Sequence, residues 1–180
     1  MGKEITPSRR NELIKHISGD IYTYINTNTQ FSFTFNYDDL DIVQTASWNS
    51  NNGYPFRCLR FNGKRRGEYF HKILSTRLGF SPNLLVDHKD QNRTNNTRLN
   101  LREATARDNR LNSDKSHGKY SLYKGVSYHK RCMKWYASIK IKCGKQKHLG
   151  SFDTEIEAAI AYNEAVERNG SEFQRKNIIL

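Results

Sequence analysis

The apolar residues of this chain come in short runs of alternating character, and that pattern narrows the fold before composition is considered. IYTYI (21–25) and FSFTF (31–35) alternate with period two. Phe31, Phe33 and Phe35 therefore line one face of a strand, with a Thr/Asn-rich turn between the two runs. GYPFRCLRF (53–61) is strand-like and leads into Asn62-Gly63, a hairpin turn signal. KGVSYH (124–129), KWYASIKI (134–141) and KQKHLGSF (145–152) read as three more strands. Helical spacing is expected over 6–17 (Leu13, Ile14, Ile17), over 37–46, and over 67–78, where Gly79 stops it. With 180 residues and 12% aromatics, this is a chain of small folded modules rather than a disordered one. No apolar run approaches the roughly 20 residues of a membrane-spanning helix, and no signal-peptide core follows Met1.

The charge balance points to a polyanion. Lys and Arg number 30 against 18 acids, and the pI is about 9.7. Nucleic acid is the first partner such a balance suggests, and an anionic membrane surface the second. Three cysteines without CxxC spacing argue against a disulfide framework or a structural zinc site, and for an intracellular protein. Cys143 reads as a small residue at a strand end. Between His117 and Phe152 stand eight Lys and Arg131 with no acid, whereas six acids lie from Asp153 onward. This split implies one basic face and one solvated acidic face. In strand 134–141, Trp135, Ala137 and Ile139 should meet a helix, leaving Tyr136, Ser138 and Lys140 for DNA. That helix begins at Thr154, where Glu157 completes a capping box, and stops at Asn169-Gly170.

The segment VDHKDQNRTNNTRLNLREATARDN (86–109) carries the parts of a phosphodiester hydrolase. Hydrolysis needs a base for the attacking water and a cation to neutralise the leaving oxygen. His88 supplies an imidazole able to accept a proton near neutral pH. Asp87 and an Asn amide oxygen supply the hard oxygen ligands that Mg²⁺ prefers. A strand ending at Asp87-His88, a return strand near Leu99–Arg102 and a helix from Thr105 form a hairpin that brings Asn109 back toward Asp87. Read plainly, Asn92, Asn95 and Asn96 are turn formers, as they would be in any protein.

Val86-Asp87-His88, Asn95-Asn96, Asn100-Leu101-Arg102 and Thr105 with Asn109 resemble the HNH endonuclease motif of phage homing enzymes, and the likeness spans roughly residues 35 to 112. The resemblance implies a ββα-metal module with His88 as general base and Asp87 and Asn109 as ligands of one divalent ion. Mg²⁺ is the expected ion, with Mn²⁺ able to substitute. Asn100 becomes a brace across the hairpin that holds the His88 loop, and Asn96 supports the same loop. His71, in the helix upstream, becomes a packing or phosphate-contact residue rather than a second base. One position departs from the family: Gln91 stands where Gly is usual, and a positive φ there costs ~1 kcal/mol more.

Tyr123-Lys124-Gly125-Val126, Trp135-x-Ala137-x-Ile139, Leu149-Gly150-x-Phe152, Glu157-Ala158-Ala159 and Ala161-Tyr162 resemble the ethylene-response-factor (APETALA-type) DNA-binding domain. That family lays a three-stranded sheet in the major groove. Carried over, Lys124, Ser127, His129, Lys140, Gln146 and His148 face DNA, with Lys130, Arg131, Tyr136 and Ser138 nearby. Lys, Ser, Gln and His replace the arginines and tryptophan of the plant domains, which favours phosphate contacts over base reading.

The expected protein is α+β: an N-terminal ββα-metal (HNH) nuclease module followed by a three-stranded antiparallel sheet packed on one helix. Residues 1–36 form a helix/strand segment of uncertain role, 37–112 the nuclease, 113–121 a linker and 122–180 the DNA-binding domain. The expected function is site-directed, metal-dependent cleavage of double-stranded DNA, with no membrane and no obligate protein partner. By resemblance the protein is phage- or virus-encoded and acts in the host cell. The alternative is a non-catalytic DNA-binding regulator with a degenerate HNH module.

Overall fold

The structure, a computed structural model, describes residues 11–17, 19–113, 120–141 and 145–179. Residues 6–10 of the expected first helix, most of the expected linker and Cys143 lie outside these. The chain divides into two compact units, Met1–Thr105 and Ala106–Leu180.

The N-terminal unit opens with three antiparallel strands, β1 (Asn11–Lys15), β2 (Ile21–Asn26) and β3 (Phe31–Asn36). Residues 11–15, expected as helix, pair instead with β2 from Asn11↔Asn26 to Lys15↔Tyr22. Leu13 turns toward the core while Ile14 and Ile17 are exposed, the outcome of a strand rather than a helical stripe. The phenylalanine alternation holds: Phe33 and Phe35 are buried with Tyr24, Trp48, Phe70 and Leu74 in one aromatic core. A 3-10 turn (Tyr37–Asp39) runs into α1 (Leu40–Gln44).

A second sheet joins β4 (Asn49–Asn51), β5 (Tyr54–Phe61) and β6 (Lys64–Tyr69). Asn62 and Gly63 both take positive φ, as a tight hairpin between right-twisted strands requires. Residues 67–69, expected as helix, continue β6 because the hairpin pairs them with Phe56–Cys58. Helix α2 (Phe70–Arg77) therefore starts later, burying Phe70, His71 and Leu74. Strands β7 (Leu85–His88) and β8 (Leu101–Ala104) then form a two-stranded hairpin.

The C-terminal unit begins with α3 (Ala106–Asn112). Its bonds explain why the division falls at residue 105 rather than in the expected linker at 113–121. Arg107 Nη2 donates to Ile141 O at 2.7 Å, and Lys124 Nζ donates to Leu111 O and, at 2.8 Å, to Ser113 O. Strands β9 (Val126–His129), β10 (Lys134–Lys140) and β11 (Gln146–Phe152) form an antiparallel sheet with β10 central. Helix α4 (Glu155–Asn169) covers one face, burying Ala158, Ala159, Tyr162 and Ala165 near Ala137 and Ile139. The capping box forms as expected: Glu157 N donates to Thr154 Oγ1 at 3.2 Å, and Thr154 N to Glu157 Oε2 at 3.0 Å. Gly125, with φ +75°, stands where a Cβ would lie 2.1 Å from the Tyr162 ring and 2.6 Å from Ser138 O, so only glycine lets β9 enter here. Among the described residues no helix is long and apolar enough to cross a membrane.

Candidate active site and nucleic-acid interface

Pairing of β7 with β8 sets Asp87 opposite Arg102 and His88 opposite Leu101. Arg102 donates from Nε to Asp87 Oδ2 at 2.9 Å, so the buried carboxylate keeps its charge compensated. His88 is buried beside it, its Nε2 3.2 Å from Asn96 Oδ1. The other end of that amide fixes the tautomer. Asn96 Nδ2 donates to Arg93 O at 3.1 Å, and a carbonyl only accepts, so Oδ1 must face the imidazole. Nε2 then carries the proton and Nδ1 the basic lone pair. Burial is the main influence on this ring and lowers its pKa below the usual 6.5; the Asn96 bond, Asp90 and Asp87 oppose the shift.

The loop after His88 is a network of short side chains around Asp90. Asp90 Oδ1 accepts from Asn92 N at 2.8 Å and from Asn100 Nδ2 at 2.8 Å, while Oδ2 accepts from Asn95 Nδ2 at 2.7 Å. Asn100 also accepts from Asp90 N at 3.1 Å and donates to Asn95 O at 2.7 Å. It spans the loop from both sides. The loop is then sewn to β3: Thr34 N donates to Thr94 O, and Asn96 N to Thr34 O, both at 2.9 Å. Arg98 N donates to Asn36 Oδ1 at 2.8 Å. Residues 31–36, whose role the sequence leaves open, thus anchor the segment bearing Asn96.

Gln91 adopts φ +65°, the left-handed conformation for which glycine is suited. The hairpin therefore bears strain at this position. Gln91→Gly is expected to raise stability by roughly 0.5–1 kcal/mol, after allowing for the added freedom of glycine in the unfolded chain. The check is a higher denaturant midpoint at unchanged slope; a lower midpoint would mean that the glutamine side chain contributes more than its backbone costs.

His71 packs its ring against Tyr54 (4.9 Å), Tyr69 (5.6 Å) and, edge-on, His88 (5.6 Å). Its Nδ1 is buried without a partner, and burial, with lesser contributions from His88 and Lys72, pushes its pKa down to about 3. It is a neutral packing imidazole at working pH. Three contributors escape the sequence reading. Asp90 was findable, as an acid in a turn where short side chains cap backbone N–H groups. Arg102 follows from the hairpin register opposite Asp87. Tyr54, whose ring meets His71 and His88 and lies under Arg93 at 4.7 Å, carries no sequence signal of that packing role.

Asn109 lies exposed on α3 in the C-terminal unit, whereas Asp87 belongs to the N-terminal one. Among the described residues no group of three or more His, Cys, Asp or Glu converges to hold a metal.

In the C-terminal sheet, β10 register puts Tyr136 opposite Ser127, Ser138 opposite His148 and Lys140 opposite Gln146, alternating with Ala137 and Ile139, which pack toward α4. Tyr136 stacks near His129 (5.1 Å) and His148 (5.2 Å), forming an aromatic patch. Arg131 is exposed in the β9–β10 turn, and Lys130 lies 5.2 Å over the Tyr120 ring. Lys124 differs from the expectation: its ammonium is held on the carbonyls at the end of α3. A cation at a helix C-terminus is favourably placed, which accounts for the contact.

A family model described as HNH endonuclease matches residues 75–111. Among curated proteins, an uncharacterized HNH endonuclease, L560, of Acanthamoeba polyphaga mimivirus is 32% identical over 150 residues, covering 81% of this chain and 76% of the relative. The H-N-H endonuclease F-TflI of Escherichia phage T5 is 35% identical over 71 residues, 37% of each chain. The AP2-like ethylene-responsive transcription factor TOE2 of Arabidopsis thaliana is 47% identical over 47 residues, 26% of this chain and 10% of that protein. No solved structure matches.

Proposed function

Since this chain belongs to the HNH endonuclease family, we propose that it is a metal-dependent DNA endonuclease of homing type, with His88 as its general base. The observation that carries this reading is the locked imidazole: a buried His88 whose proton is fixed on Nε2 by Asn96, beside the carboxylate of Asp87. In the proposed step Nδ1 takes a proton from water, the water oxygen attacks phosphorus, and the P–O3′ bond breaks. The departing O3′ takes a proton from solvent water, so the products are a 5′-phosphate and a 3′-hydroxyl. Asn100 acts as a positioning residue by holding Asp90 and Asn95, and Asn96 acts on His88 directly.

The donors suit one hard divalent cation. Asp87 offers carboxylate oxygen and Asn109 an amide oxygen, and Mg²⁺ commonly takes one or two protein ligands, leaving the rest to water and phosphate. When bound, such an ion would neutralise the departing oxygen. In this reading residues 37–112 make the ββα-metal module, with 113–121 as linker. Residues 122–180 form an ethylene-response-factor-like domain that docks its open face in the major groove. The aromatic patch at Tyr136 and the 47% identity with TOE2 over 47 residues support that assignment.

Incubation of supercoiled plasmid with Mg²⁺ or Mn²⁺ should give nicked or linear product, and chelator should abolish it. Retained DNA binding without cutting in any metal would favour the regulator instead. The pH profile gives a second measure. His88 acts as a base only when neutral, and burial lowers its pKa, so the acid limb of kcat/KM should lie below pH 6.5. An acid limb above 6.5 contradicts the assignment.

A further inference from the structure

The C-terminal unit contains a cavity of about 380 Å³ between α3, the sheet and α4. Its size falls at the small end of ordinary ligand pockets, about 300–1,000 Å³. Among the described residues four cations line it and no acid does: Arg107 and Arg110 from α3, Lys124 before β9 and Lys140 from β10. Two of them are already anchored on backbone carbonyls, Arg107 on Ile141 O and Lys124 on Ser113 O. The other two are available. Among the described residues neither the Arg110 guanidinium nor the Lys140 ammonium has a hydrogen bond or an acidic partner.

A second, independent feature lies in the same wall. Tyr162 is 3% exposed, lines the cavity, and its hydroxyl has no hydrogen-bond partner among the described residues. Burial pushes its pKa up to about 12, so it remains a donor at any working pH. A neutral donor and two uncommitted cations lining one cavity suit an oxyanion.

We propose that this cavity is a phosphate pocket that takes one DNA backbone phosphate, gripped by Arg110 and Lys140 and capped by the Tyr162 hydroxyl. The proposal rests on the reading of the protein as a DNA enzyme; it shares Lys140 with the open face of the sheet and adds Arg110 and Tyr162 to it. It also gives α3 a second task, since its arginines would fix the phosphate register of the C-terminal unit.

The test uses the full chain with chelator present, so that nothing is cut. Duplex affinity is measured against salt for wild type, the Arg110→Ala/Lys140→Ala double variant and Tyr162→Phe. The double variant should weaken binding about ten-fold on every sequence and reduce the log–log salt slope by about 0.9, the loss of one neutralised phosphate. Tyr162→Phe removes only an unpartnered oxygen from a packed ring, so the melting temperature should hold. It should weaken binding several-fold with the slope unchanged, because the lost donor is neutral. Equal affinity for Tyr162→Phe and wild type would reduce the feature to surface charge and overturn the pocket. Two small probes then identify the source of the phosphate, inorganic phosphate and a 5′-phosphorylated dinucleotide, followed through the side-chain amide resonances of Gln174. Shifts with the dinucleotide support the DNA assignment; shifts with inorganic phosphate alone overturn it. Failure here leaves metal-dependent cutting untouched, and failure to cut leaves these binding results standing.

Discussion

His88→Ala is expected to remove metal-dependent cutting, by about 10²–10⁴-fold, while the protein still folds and still binds DNA. The size of the effect follows from what the ring does and what nothing nearby replaces. His71, the neighbouring imidazole, is 7% exposed and protonates only near pH 3, but its Nδ1 is enclosed, so it has no free access to the same water. The substitution also strands Asn96 Oδ1, at a cost of about 1–3 kcal/mol, so melting should be measured alongside cutting. Asn96→Ala separates position from chemistry. It keeps the base but frees its ring and tautomer, and should lower kcat less than His88→Ala while leaving KM alone. Undiminished cutting by a clean His88→Ala preparation would remove the base from the mechanism.

The legible parts of this fold are those fixed by neighbours in sequence. The Thr154 capping box, the Asn62-Gly63 turn and the Phe33/Phe35 alternation each depend on a few adjacent residues, and each forms as expected. Misreadings fall where a distant partner decides. Leu13, Ile14 and Ile17 fit a helical stripe about as well as a strand, and only pairing with β2 settles the choice. Residues 67–69 were drawn into the following helix because Tyr69 and Phe70 suit either state; the register with β5 makes them strand. The site divides in the same way. Asp87, His88 and Asn100 are legible from their spacing, and β7 with the loop brings them together. The hold of β3 on that loop, through Thr34 and Asn36 some sixty residues earlier, leaves no local trace.

Asp39→Ala is the second large effect, expected to destabilise the protein by about 3 kcal/mol and to slow cutting at temperatures where it remains folded. Asp39 is fully buried, and two guanidinium groups converge on it. Arg98 donates from Nε to Oδ2 at 3.0 Å and from Nη2 to Oδ1 at 2.7 Å, and Arg77 Nη1 donates to Oδ1 at 3.3 Å. Removing the acid leaves two partly buried cations with only their outer partners, Asp38 and Asp41. Those outer pairs are exposed, and Asp38→Ala or Asp41→Ala should cost under about 1 kcal/mol each. For a chain of this length about 3 kcal/mol corresponds to a fall in Tm of roughly 6–12 °C. The effect on cutting follows from where Arg98 stands, between Asn96, which orients His88, and Asn100, which closes the loop around Asp90. An arginine tethered at Asp39 holds both asparagines in place; untethered, it lets them drift. The loss should therefore appear in kcat more than in KM, since the residues proposed to grip DNA are elsewhere. A variant that melts with wild type and cuts at full rate would show that the loop is held by β3 alone.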